Sequence, residues 1–156
     1  MKAAVIFLSI FSLAIHSTIA QDTEDKLAIG WYLEAQDKSK AMRLTDYFKG
    51  DTIYVNPKPI LLASEYRHSS FRSENRDGKL THSISLVYDG DHKQKWADTT
   101  KEMAKDRSLA YFVYKGEAIC TLTTMTAITN GYTRIMNENL SREFLEQVFS
   151  DIKSQR

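Results

Sequence analysis

The chain has 156 residues, with 21 Lys and Arg against 20 Asp and Glu, 42% hydrophobic residues and a single cysteine. A near-zero net charge excludes the basic face that nucleic acid or an anionic membrane surface requires. One cysteine forms no internal disulfide, and a chain of this length buries a core without such staples.

The chain opens with Met1-Lys2, an apolar run of about 13 residues, and Thr18 and Ala20 ahead of Gln21. A short positive start, an apolar centre and small residues at the cut are the pattern of an export signal removed after Ala20. The run falls short of the ~20 residues that cross a bilayer. Residues 1–20 are therefore expected to be a signal peptide, leaving one exported domain of about 136 residues, periplasmic or secreted, with no membrane span. Within it, residues 21–51 form an N-terminal strand and linker segment that packs as one domain with residues 52–156.

Residues 21–28 read as a polar leader, and Gly30–Ala35 as a first strand. A polar stretch over 36–50 ends in the turn signal Lys49-Gly50-Asp51. Thr52–Val55 is a second strand, stopped by Asn56-Pro57-Lys58-Pro59 because proline has no N–H for a ladder. Ile60–Arg67 reads as a short helix or turn, and residues 72–79, with Asp77-Gly78, as a loop or hairpin tip. In the clearest strand, Leu80, His82, Ile84, Leu86 and Tyr88 alternate with Thr81, Ser83, Ser85 and Val87. Asp91, with Gln94 three residues on, is expected to cap a helix from His92 to about Lys105 whose inner stripe is Trp96, Thr99, Thr100 and Met103. Ser108–Tyr114 and Glu117–Thr124 flank the turn Lys115-Gly116 as a hairpin. After Asn130-Gly131 comes a strand over Tyr132–Met136. Ser141 then caps a last helix with Phe144, Leu145, Val148, Phe149 and Ile152 on one face. Asn139-Leu140-Ser141 matches a glycosylation acceptor, but the cap explains Ser141 better. The order gives an α+β domain: an antiparallel-rich sheet with two main helices on one face, its Ser- and Thr-bearing face turned to solvent or a partner.

No catalytic residues, metal ligands or cofactor site emerge from this pattern. After the signal the chain has three histidines, His68, His82 and His92. His82 sits on an apolar strand face and Cys120 in the strand-like run EAICTL, so both read as structural. A Cys120–His82 pair, the basis of a thiol-dependent enzyme or small hydrolase, needs adjacent strands in the right register. Asp89-Gly90-Asp91-His92 lacks the further spaced ligands of a calcium or zinc site and reads as turn plus cap. Aromatic residues crowd the first half of the domain. Trp31, Tyr32, Tyr54 and Tyr66 lie outside the periodic core and are the expected contacts for a protein or peptide partner.

From Thr52 onward the chain resembles the periplasmic head domain of SecD, an accessory membrane subunit of the bacterial Sec translocon. The residues that carry the resemblance are Pro59–Glu65, the helix start Asp89–Thr100, the hairpin Leu109–Ala118, Ile128-Thr129-Asn130-Gly131 and Leu140–Phe144. It covers about two-thirds of the chain. Lys115-Gly116 stands where the family has an Asp-Gly turn, and Cys120-Thr121 where it has Ala-Pro. The resemblance implies a ferredoxin-like α+β fold and contact with exported polypeptide or envelope proteins. SecD's membrane helices have no counterpart after the signal, so the expectation is a free-standing exported domain. It would be a binding module without catalysis, with a self-associating envelope protein as the other alternative to an enzyme.

Overall fold

A computed structural model describes residues 27–156; the expected signal peptide lies outside the described residues. Thirteen elements follow in order. They are β1 (Gly30–Leu33), a 3-10 turn (Lys38–Lys40), β2 (Met42–Asp46), β3 (Thr52–Val55), β4 (Leu61–Leu62), a second 3-10 turn (Ala63–Glu65), β5 (His68–Arg76), β6 (Lys79–Val87), α1 (Gly90–Asp106), β7 (Ala110–Tyr114), β8 (Glu117–Leu122), β9 (Tyr132–Ile135) and α2 (Arg142–Ser154). The α+β class and the two helices are as expected, but the strands form two sheets, ordered β3-β2-β8-β7-β1-β4 and β5-β6-β9.

The larger sheet closes on itself. β2 pairs parallel to β8, and β3 pairs antiparallel to β2. β3 then returns to the end of β1: Glu34 bridges Val55, the Ala35 N–H donates to the Tyr54 carbonyl at 2.9 Å, and the Asn56 N–H to the Leu33 carbonyl at 2.9 Å. Five strands thereby form a small barrel around Tyr32, Leu44, Val55, Tyr111, Val113 and Ala118. Closure removes strand edges that would otherwise be open to another chain. Pro57 and Pro59 fall where the strand breaks before β4 rejoins the edge of β1.

The main core lies outside the barrel. Trp31, Phe112 and Cys120 of β1, β7 and β8 pack with Trp96 and Met103 of α1, Leu145, Val148 and Ile152 of α2, and Ile84, Leu86 and Ile135 of the small sheet. β1 is therefore buried on both faces, which is why adjacent Trp31 and Tyr32 are each only 1% exposed.

Local chemistry sets the element ends. The two tight hairpin turns, β5–β6 and β7–β8, each place two residues at positive φ, Asp77-Gly78 (52° and 81°) and Lys115-Gly116 (50° and 84°), the backbone that suits the twist of paired strands. Ser141 caps α2, its Oγ accepting from the Phe144 N–H at 3.1 Å. The cap expected at Asp91 is displaced: α1 begins at Gly90 after Asp89, whose carboxylate pairs with Arg67 at 3.3 Å, and the Gln94 amide donates to Asp98 instead. Two further expectations are met in part. Ile60–Arg67 holds the expected turn, as a 3-10 turn, but also β4; Asp77-Gly78 is the expected hairpin tip, but residues 72–76 belong to a nine-residue strand, β5, in full register with β6.

Candidate functional site

The three-stranded sheet has an apolar inner face and a polar outer one. Ile84, Leu86 and Ile135 point inward to the main core, where both helices pack. Strand alternation turns Ser70, Arg72 and Glu74 of β5, Thr81, Ser83 and Ser85 of β6, and Tyr132 and Arg134 of β9 to the other side. Hydrogen bonds tie this face across all three strands. The Arg134 guanidinium donates to Ser83 Oγ at 2.9 Å and to Glu74 at 3.0 Å, and the Ser85 and Tyr132 hydroxyls meet at 2.8 Å. Ser83 and Ser85 are 0% and 3% exposed, because the Arg134 and Tyr132 side chains lie over them. The result is a flat polar surface whose groups are already oriented. At the hairpin end it opens into a cleft of about 670 Å³ between Asp77, Lys79, Thr81 and residues 136–139, with Lys79 and Glu138 paired at 3.2 Å.

β5 borders this face. It pairs with β6 along all nine residues, and among the described residues no strand pairs with its other side. Its edge is the longest in either sheet, since β3 is taken up by barrel closure and β4 has two residues. A row of outward N–H and C=O groups on such an edge is a template for an added strand.

The aromatic residues expected to form the contact surface lie elsewhere. Trp31 packs against Trp96 and Phe112, with ring centroids 5.7 and 5.4 Å away. Tyr32 fills the barrel, its hydroxyl donating to the Ala28 carbonyl at 2.9 Å, and burial pushes that hydroxyl's pKa up. Tyr66 is 6% exposed, with the Arg156 guanidinium over its ring. The premise that these three stand outside the core is therefore corrected: Trp31 and Tyr32 lie on β1, which is buried on both faces and so shows no period, and Tyr66 lies in the irregular stretch between the second 3-10 turn and β5. Tyr54 is half-buried, with the Lys38 ammonium 5.0 Å above its ring. Tyr47, one of the aromatics crowding the first half but not among the four expected contacts, is exposed and stacks on Phe144 of α2 at 5.0 Å.

Cys120 and His82 stand on different sheets with partners of their own. The Cys120 thiol donates to the Met136 carbonyl at 3.5 Å within the main core, and burial pushes its pKa up. His82 Nδ1 meets Ser73 Oγ at 2.8 Å, and its ring stacks on Phe71. A thiol that is buried and hard to ionise reacts slowly. Cys120 is accordingly expected to resist a thiol reagent at pH 8 in the native protein and to react stoichiometrically once unfolded in urea; equal rates in the two states would contradict this placement. His92 Nε2 lies 3.5 Å from a Glu65 carboxylate oxygen, and among the described residues no cluster of three or more His, Cys, Asp or Glu side chains is arranged to hold a metal.

No family model matches the chain, and no curated protein matches it in sequence. Among solved structures it is similar to one of SecDF, a membrane component that enhances protein export, with a TM-score of 0.58 and 12% identity over 83% of this chain and 63% of that one. It is also similar to SecDF in its super-membrane-facing form, with a TM-score of 0.50 and 15% identity over 71% of this chain and 17% of that one. What is shared is the fold. The SecD resemblance read from residues 52 onward is thus matched by the three-dimensional structure, and the likeness takes in more of the chain than the sequence motifs did. The chain spans less than two-thirds of the length of either SecDF chain. Among the described residues no helix is long and apolar enough to cross a membrane.

Proposed function

We propose that this chain is an exported, non-catalytic binding module that takes up an extended polypeptide segment along β5, in a role related to protein export. The observation that carries the reading is the nine-residue edge of β5, paired on one side and bordered by the pre-oriented outer face of Arg134, Glu74, Ser83 and Tyr132. Backbone hydrogen bonds to an added strand bind any sequence in extended form, which suits a client not yet folded. The link to export rests on the shared fold with SecDF, a component that enhances protein export. The Cys120–His82 enzyme has no support of this kind, since the two residues sit on separate sheets.

A photocrosslinking side chain at Arg72, exposed on β5, tests the proposal against the same probe at Lys101, exposed on α1. With a purified, chemically unfolded secreted polypeptide in excess, crosslinks are expected at position 72 and not at 101. Equal yields at the two positions, or none at 72, would refute the reading.

A further inference from the structure

Resting on that reading, we infer that the strand accepted by β5 is selected by one large apolar side chain seated against Phe71 and Phe149, with a basic residue two positions before it and an acidic residue four positions after it. Two contacts fix how α2 lies beside β5. Phe149 meets Phe71 with ring centroids 6.1 Å apart, and Arg156, just past the end of α2, lies over Tyr66. The same direction continued back along the helix carries Glu143, at its start, toward Ser73. The lengths agree. Tyr66 to Ser73 spans about 23 Å at ~3.3 Å per strand residue, and Glu143 to Arg156 about 20 Å at ~1.5 Å per helix residue. The flank of α2 therefore runs beside residues 66–73 in the direction opposite to β5.

A strand added beyond β5 turns every second side chain toward this flank. The residue opposite Phe71 meets the Phe71 and Phe149 rings, both half-buried and packed on the core from one side. An apolar side chain there removes the remaining ring surface from water. The two ends of the flank carry opposite charge: exposed Glu143 at the Ser73 end, with Arg142 beside it paired to Glu146 at 2.8 Å, and exposed Arg156 over Tyr66 at the other, while the Lys153 ammonium lies 5.6 Å from the Phe149 ring centroid. Antiparallel pairing is the stronger mode, so the incoming chain runs from the Ser73 end to the Tyr66 end. Its basic residue then falls opposite Ser73 and its acidic residue opposite Arg67.

The test uses fluorescent nine-residue peptides of Ser and Thr carrying Lys, Phe and Glu at these spacings. Replacing the peptide's Phe by Ser should weaken binding about tenfold, the loss expected for one buried ring. Exchanging its Lys and Glu should weaken binding severalfold on the wild type and restore it on the Glu143→Lys, Arg156→Glu double variant, whose changes are both at exposed positions. Phe149→Ser, checked for native circular dichroism, should make the Phe and Ser peptides equivalent. If both peptides bind equally and both crosslink at position 72, the selection by Phe71 and Phe149 is overturned while strand addition stands. If the unfolded polypeptide crosslinks there and neither peptide does, the selection is again overturned. If nothing crosslinks at position 72, both readings fall together.

Discussion

Alanine in place of Trp96 is expected to lower the free energy of unfolding by about 3–5 kcal/mol, the usual cost of truncating a buried indole. Trp96 is 0% exposed and joins α1 to the outer wall of the barrel through Trp31. No other side chain on α1 approaches its size, so the cavity left behind has little to fill it. Natural domains keep only about 5–15 kcal/mol in hand, so this one change removes a large fraction of that margin. Phenylalanine at the same position should cost much less. The Trp96 indole N–H has no acceptor among the described residues, so its loss strands no partner. Urea unfolding followed by circular dichroism measures both variants. A loss under about 1 kcal/mol for alanine would mean that α1 is not held to the barrel through this residue.

Alanine at Gly131 is expected to cost about 2–3 kcal/mol, although it adds a single methyl group. Gly131 has φ of +70°, a region L-residues enter at a cost, and a Cβ there would run into the Tyr88 carbonyl oxygen. The same peptide accepts a hydrogen bond from the Tyr88 N–H at 2.9 Å, so the clash falls where β9 begins to pair with β6. Loosening β9 moves Arg134 and Tyr132 off Ser83 and Ser85, so the outer face should lose order along with stability. Thermal unfolding reads the first effect. The second appears as faster amide exchange over residues 132–135 than over β7. A melting temperature unchanged from wild type would show that the β6–β9 junction has room that the structure denies it.

How much of this fold could be read from the residues follows from how local its signals are. The Lys115-Gly116 and Asp77-Gly78 turns, the Ser141 cap and the stripes of both helices are short-range patterns, and each stands where it was expected. β5 escaped notice because Phe71 is its only large apolar residue; its strand character comes from backbone pairing with β6. β2 was hidden for a similar reason. Met42 and Leu44 are its only apolar residues, and they make sense only against the barrel interior. Closure of the barrel depends on the meeting of Glu34 with Val55, which no local pattern announces. Trp31 and Tyr32 misled because a strand buried on both faces looks like a run of unplaced aromatics. The Ser and Thr positions of β6 did point to the polar outer face, but Arg134, which organises it, carried no recognisable signal.

The central claim is that β5 accepts a strand, and amide hydrogen exchange of the protein with and without an unfolded secreted polypeptide tests it most directly. The account predicts that alternate amides within residues 68–76, those pointing away from β6, gain at least about tenfold protection on binding, while β6 amides, already paired, stay as they were. Protection that appears on α1 or the barrel and leaves residues 68–76 unchanged would contradict it.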